Sequence, residues 1–182
     1  MKYHKFYKRN ILTKEQLQSA WDLYHEIPIK YAHQDYSLFN VEKRNANSSQ
    51  KKTNPALISI DKYMKDRYGY DNQSHYFLKY VPYSWTRVHT DNINTVTKTV
   101  ITLLEESNDL IGGETLVWDK HYDLPTPKGS YVQRTGSVHR KQEVPCTPKL
   151  NSGESLVYDN GTRHGVSLVE RGHRIVLVSW YI

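Results

Sequence analysis

The chain changes character near residue 74, and that change constrains its fold more than any other feature. From His75 onward, short runs rich in β-branched and aromatic residues follow one another: His75–Val81, Thr97–Leu104, Glu114–Trp118, Ser155–Tyr158, His164–Val169 and His173–Tyr181. Gly, Asn, Asp or Pro separates most of them, the punctuation expected of strands joined by turns. Residues 1–70 read instead as irregular and helical. Leu12-Thr13-Lys14-Glu15-Gln16-Leu17 is a helix start in which Thr13 caps and Gln16 completes a capping box. Leu17, Ala20, Trp21 and Tyr24 then fall on one helical face, and Pro28 ends the segment. Residues 40–54 are polar and read as a loop. Asn54-Pro55 opens a second helix with Leu57, Ile60, Tyr63 and Met64 on one face, and Gly69 closes it. Two helices followed by many short strands predict a mainly β fold, with the helices packed on one side of a sandwich or jelly roll.

At 182 residues the chain is the size of one domain. We therefore expect a single unit over 1–182, with a helical support at 1–70, a β part at 75–182 and a long excursion at 119–149. One cysteine, Cys146, excludes an intramolecular disulfide and fits a reducing compartment. No apolar run approaches the roughly 18 residues of a membrane span, and Met1–Phe6 lacks the apolar stretch of a secretory signal. The expectation is a cytoplasmic protein with no membrane partner and no predictable oligomeric state. Fifteen tyrosines against three phenylalanines suit a fold with half-buried, wet positions or a polar cavity.

Strand geometry places a His at i and an acid at i+2 on one face. Such a pair, joined by a distant His, forms the ligand set usual for non-haem ferrous iron with open coordination positions. The chain has three pairs: His33/Asp35, His89/Asp91 and His121/Asp123. Only His89 and Asp91 lie between two predicted strands with a turn directly after. The other two read as solvated loop pairs. The distant partner is His164, at the start of a predicted strand. The turn Glu170-Arg171-Gly172 leads to a second strand, so the two form a predicted hairpin that sets Arg174 opposite Leu168. Arg174 would then lie about 13 Å along the strand from His164, at about 3.3 Å per residue. An Arg deep in a strand needs a carboxylate partner, and its planar fork suits one carried by a ligand. Arg174, Val176, Val178 and Trp180 share one parity and are expected to point inward.

Tyr80, His89-Thr90-Asp91, Gly112-Gly113-Glu114-Thr115, Pro148, Gly153, His164-Gly165-Val166, Gly172-His173-Arg174 and Trp180 occur in an order that resembles the prolyl 4-hydroxylase-like family of iron(II)/2-oxoglutarate dioxygenases. The resemblance covers about residues 75–182. It implies a double-stranded β-helix (jelly-roll, cupin-like) core. It implies His89, Asp91 and His164 as catalytic iron ligands, and Arg174 as anchor of the distal carboxylate of 2-oxoglutarate, where relatives often carry Lys. Tyr80 and Thr102 match positions that help hold this cosubstrate. The implied cofactors are Fe(II), 2-oxoglutarate and O₂, with succinate and CO₂ released as a substrate C–H bond is hydroxylated. Asp91 argues for hydroxylation, since halogenating relatives carry a small residue there. The Arg-x-Ser pattern of some relatives is absent, because Val176 follows Arg174 by two.

The substrate is expected to be a prolyl or other residue of a protein or peptide, or a small molecule such as an amino acid. The net charge of +6 gives some support to oxidation of a nucleic acid instead. Against that stands Trp180, six residues after Arg174, where nucleobase-oxidising relatives carry a second Arg. A non-catalytic jelly-roll binding module is a third reading, and it would need a broken triad. Tyr122, Tyr131 and Arg134, within the 119–149 excursion, are expected to shape the substrate entrance.

Overall fold

A computed structural model describes residues 6–31, 37–91, 94–118 and 145–182 of the protein. The N-terminal part runs β1 (Phe6–Asn10), α1 (Lys14–Glu26), β2 (Lys30–Tyr31), β3 (Leu38–Asn45), α2 (Ser48–Thr53) and α3 (Pro55–Tyr68). Then follow β4 (Asn72–His89), β5 (Lys98–Glu106), β6 (Ile111–Gly112), β7 (Thr115–Trp118), β8 (Glu154–Asp159), β9 (Arg163–Val166), β10 (Val169–Arg171) and β11 (Arg174–Tyr181).

Both main helices begin where their caps predict. Thr13 accepts from the Gln16 amide while the Gln16 side chain accepts from the Thr13 amide. Asn54 accepts from Ala56 and Leu57 at the start of α3, and Gly69 ends it in the left-handed region at φ 77°. The apolar faces of α1 (Ala20, Leu23, Tyr24) and α3 (Leu57, Ile60, Met64) pack against Phe77, Val100, Leu104 and Leu177 of the sheet. Truncating a fully buried side chain such as Leu57 to Ala costs about 2–5 kcal/mol.

The reading of residues 40–54 as a loop is corrected. Leu38–Asn45 is a strand and Ser48–Thr53 a short helix. The polar composition misleads for two reasons. β3 buries only Leu38 and Val41, one of its faces being wet. α2 buries nothing and depends on an Asn47/Gln50 capping box. β1, equally polar, is held by its register with β8, Phe6 opposite Tyr158 through Asn10 opposite Glu154. The N-terminal part thus contributes strands to both ends of the sheet, whose order is β1-β8-β5-β11-β4-β3-β2.

Alternation divides the sheet into two faces. One carries the helices. The other, with Tyr76, Leu78, Ile101, Leu156, Val176 and Val178, faces the interior of the curled sheet. The 18-residue β4 makes the curl. Its first half pairs with β11, while Thr86 and His89 near its end pair with Val166 and His164 of β9. The bend is a bulge. Tyr80 opposes Val41 and Trp85 opposes Phe39, so four residues of β4 face the single Asn40. Tyr83 stands in that bulge at φ 70° and is 75% exposed. The Ser84 hydroxyl fastens it by accepting from the Val81 amide and donating to the Asn40 carbonyl.

The predicted hairpin after His164 does not form, and this corrects the placement of Arg174 opposite Leu168. β9 lies between β4 and β7, β10 pairs with β6, and β11 inserts between β4 and β5. From β8 onward each strand pairs with a partner other than its neighbour in sequence. That arrangement brings the chain close at Gly112, where a Cβ would stand 1.9 Å from the Leu168 carbonyl oxygen and φ is 77°. Among the described residues no helix is long and apolar enough to cross a membrane.

Candidate metal and cosubstrate site

The curl of β4 sets His89 directly opposite His164, with ring centroids 4.4 Å apart. Each imidazole is oriented by the backbone two residues before it. His89 Nδ1 donates to the Arg87 carbonyl at 2.7 Å, and His164 Nδ1 donates to the Thr162 carbonyl at 2.9 Å. A carbonyl can only accept, so both rings carry their proton on Nδ1 and present a lone pair at Nε2. Asp91 is held by its own amide, which donates to the Asn160 carbonyl at 3.1 Å. Its Oδ1 stands 3.8 Å from His89 Nε2 and 3.7 Å from His164 Nε2, while its Oδ2 accepts the Thr99 hydroxyl. One ligand atom from each of the three residues lies within 4.8 Å of the others, the sole such cluster among the described residues. These separations are too long for hydrogen bonds and suit three donors around one ion. Burial holds the His164 pKa down at about 4, against the opposing pull of Asp91, so the ring stays neutral as a metal ligand must.

The triad opens into a cavity of about 150 Å³. Arg174, Val176, Val178 and Trp180 all line it, as their shared parity predicts. Arg174 is 2% exposed, and burial lowers its pKa while Glu106 opposes the shift. Its Nη1 donates to the Gly113 carbonyl at 2.8 Å, and its Nε lies 3.3 Å from Glu106 Oε1 without hydrogen-bond alignment. Glu106 is the carboxylate that a buried Arg requires, though its side chain is 41% exposed. Tyr80, the Cα partner of Arg174 on β4, also lines the cavity and shares a 2.8 Å hydroxyl contact with Thr86.

Thr102 is a correction. It shares parity with Val100 and Leu104, which pack under the helices, and its hydroxyl meets Ser155 at 2.7 Å. The β5 residues that line the cavity are Thr99 and Ile101. Two contributors went unpredicted, Thr99 on Asp91 and Tyr158, whose ring centroid is 4.6 Å from that of His164. Tyr158 is opposite Thr99 across the β5–β8 pair, a juxtaposition no local pattern announces. Tyr122, Tyr131, Arg134 and both members of the pairs His33/Asp35 and His121/Asp123 lie outside the described residues.

No family model and no curated protein matches the sequence. Solved structures do match in shape. A 2OG-Fe(II) oxygenase family oxidoreductase from Burkholderia pseudomallei superposes with a TM-score of 0.71 at 15% identity, covering 97% of this chain and 85% of that one. The chain has the 2-oxoglutarate/iron(II) oxygenase fold. A prolyl-4-hydroxylase from Pseudomonas putida gives a TM-score of 0.69 at 13% identity, with 98% and 92% covered. HygX from Streptomyces hygroscopicus, with nickel, 2-oxoglutarate and hygromycin B bound, gives 0.63 at 10%, with 97% and 82% covered. The mainly β, jelly-roll expectation is therefore met, and the oxygenase fold spans nearly the whole chain, including the strands of the N-terminal part.

Proposed function

We propose that the protein is an Fe(II)- and 2-oxoglutarate-dependent dioxygenase that hydroxylates a C–H bond. The observation that carries this reading is one cavity holding the convergent His89 Nε2, Asp91 Oδ1 and His164 Nε2 together with the buried guanidinium of Arg174. Two imidazoles and a carboxylate fit ferrous iron and leave coordination positions open. Iron(II) and 2-oxoglutarate, when bound, supply the O₂-dependent oxidation that yields succinate, CO₂ and hydroxylated substrate.

The chain's own part is positioning. The Arg87 and Thr162 carbonyls fix both imidazole tautomers. Arg174 offers a charged fork to the distal carboxylate of the cosubstrate, with Tyr80 beside it. The apolar wall of Val176, Val178 and Trp180 excludes bulk water, which strengthens each polar contact made inside. A protein residue, peptide or small molecule is the substrate class in this reading, and the shape likeness to a prolyl-4-hydroxylase supports it. Tyr122, Tyr131 and Arg134 are proposed to border the entrance. The test is anaerobic addition of Fe(II) and 2-oxoglutarate, with a weak visible charge-transfer band expected. Folded protein without the band sinks the reading. Succinate release across a panel of peptides, amino acids and nucleic acids then identifies the substrate.

A further inference from the structure

Asp91 has two carboxylate oxygens, and the structure treats them differently. Oδ1 faces both Nε2 atoms. Oδ2 accepts the hydroxyl of Thr99, a residue 1% exposed in the middle of the sheet. Because a Thr hydroxyl has a single proton, donation to Asp91 commits it. Tyr158, likewise buried, is the residue opposite Thr99 on the neighbouring strand.

We infer that Thr99 is a positioning residue that holds Asp91 as a one-oxygen metal ligand. The inference rests on the proposed metal site and goes beyond it, because it concerns how many positions that site leaves free. A carboxylate with a loose second oxygen turns to ligate through both. A buried oxygen without a donor also carries a desolvation cost that such a turn would relieve. The extra oxygen would take one of the positions that a bidentate cosubstrate and O₂ need. Partners that orient metal ligands in this way typically change metal affinity by about 10–100-fold when removed.

The experiment titrates apoprotein with Co(II), read by calorimetry and by the visible d–d spectrum, for wild type and for Thr99→Val, Thr99→Ser and Thr99→Ala. Thr99→Val should lose about 10–100-fold in affinity and change the spectrum. Thr99→Ser should restore both, since it keeps the hydroxyl and loses only a methyl. Thr99→Ala, which also lacks the hydroxyl, should move both as Thr99→Val does. Wild-type affinity and spectrum in folded Thr99→Val overturn the inference and leave the metal site standing. Failure of Thr99→Ser to differ from Thr99→Val also overturns it. Absence of Co(II) binding by the wild type overturns the metal site itself. Should Thr99→Val not fold, Thr99→Ala decides, and wild-type affinity and spectrum there overturn the inference.

Discussion

Two clusters of histidine and aspartate, each partly buried, lie on opposite faces of the same sheet, and they are built for opposite ends. On the helix face, His75 of β4 contacts Ser179 Oγ at 2.7 Å through Nδ1 and Asp61 of α3 at 3.0 Å through Nε2. The Tyr181 hydroxyl donates to the same Asp61 oxygen at 2.8 Å. Nδ1 is hydrogen-bonded and Nε2 faces the Asp61 carboxylate without hydrogen-bond alignment, so the cluster ties a helix to the sheet through adjoining polar groups. On the cavity face, His89 and His164 each use one nitrogen on a backbone carbonyl and leave the other toward Asp91 at 3.7–3.8 Å. The residue types match and the roles differ. The helix-face cluster joins its members directly, whereas the proposed metal site withholds three donors from one another.

Mutation should separate the two. His89→Ala or His164→Ala has the largest expected effect: loss of iron-dependent succinate formation with circular dichroism unchanged. Arg174→Ala should raise KM for 2-oxoglutarate by about 10–100-fold, since hydrogen bonds to charged groups are worth roughly 1.5–3 kcal/mol. Metal affinity should hold, and its equal loss would contradict an anchor role for Arg174. Asp61→Asn should do the reverse, with about 1–3 kcal/mol lost in urea unfolding and metal affinity unaltered. A drop in metal affinity there would mean that the two faces are coupled.

The smallest effect is a pH dependence of the apoprotein. The folded state keeps His164 neutral down to about pH 4, while in the unfolded chain it takes up a proton near its ordinary 6.5. Between those values the unfolded state binds more protons, so stability is fully present above 6.5 and falls as the pH drops through the window. The melting temperature should decline by several degrees from pH 7 to 4.5, and less in His164→Gln, which has no such group to titrate. An identical decline in both would assign the effect elsewhere.

Legibility in the sequence followed the range of the interaction. The caps of α1 and α3 involve residues two or three apart, and they form as written. The common parity of Arg174, Val176, Val178 and Trp180 needs only the two-residue period of a strand, while Asp91 lies beyond the end of β4 and reaches His89 because only one residue separates them. β1 and β3 were illegible because edge and one-sided strands need few apolar residues once a partner supplies their hydrogen bonds. Thr102 was misplaced because a match of residue type did not settle which face of β5 is wet.

The sequence by itself determined the ligand types, the helix starts and the inward parity of the last strand, all consequences of covalent spacing. Tertiary structure decided which strands are neighbours. Only the bend of β4 sets His89 opposite His164, and only the pairing of β9 with that bent end separates it from β11. The β5–β8 register sets Thr99 opposite Tyr158. Such contacts join residues tens of positions apart, and they exist because curling the sheet buries the apolar lining of the cavity while the inner strands keep their ladders.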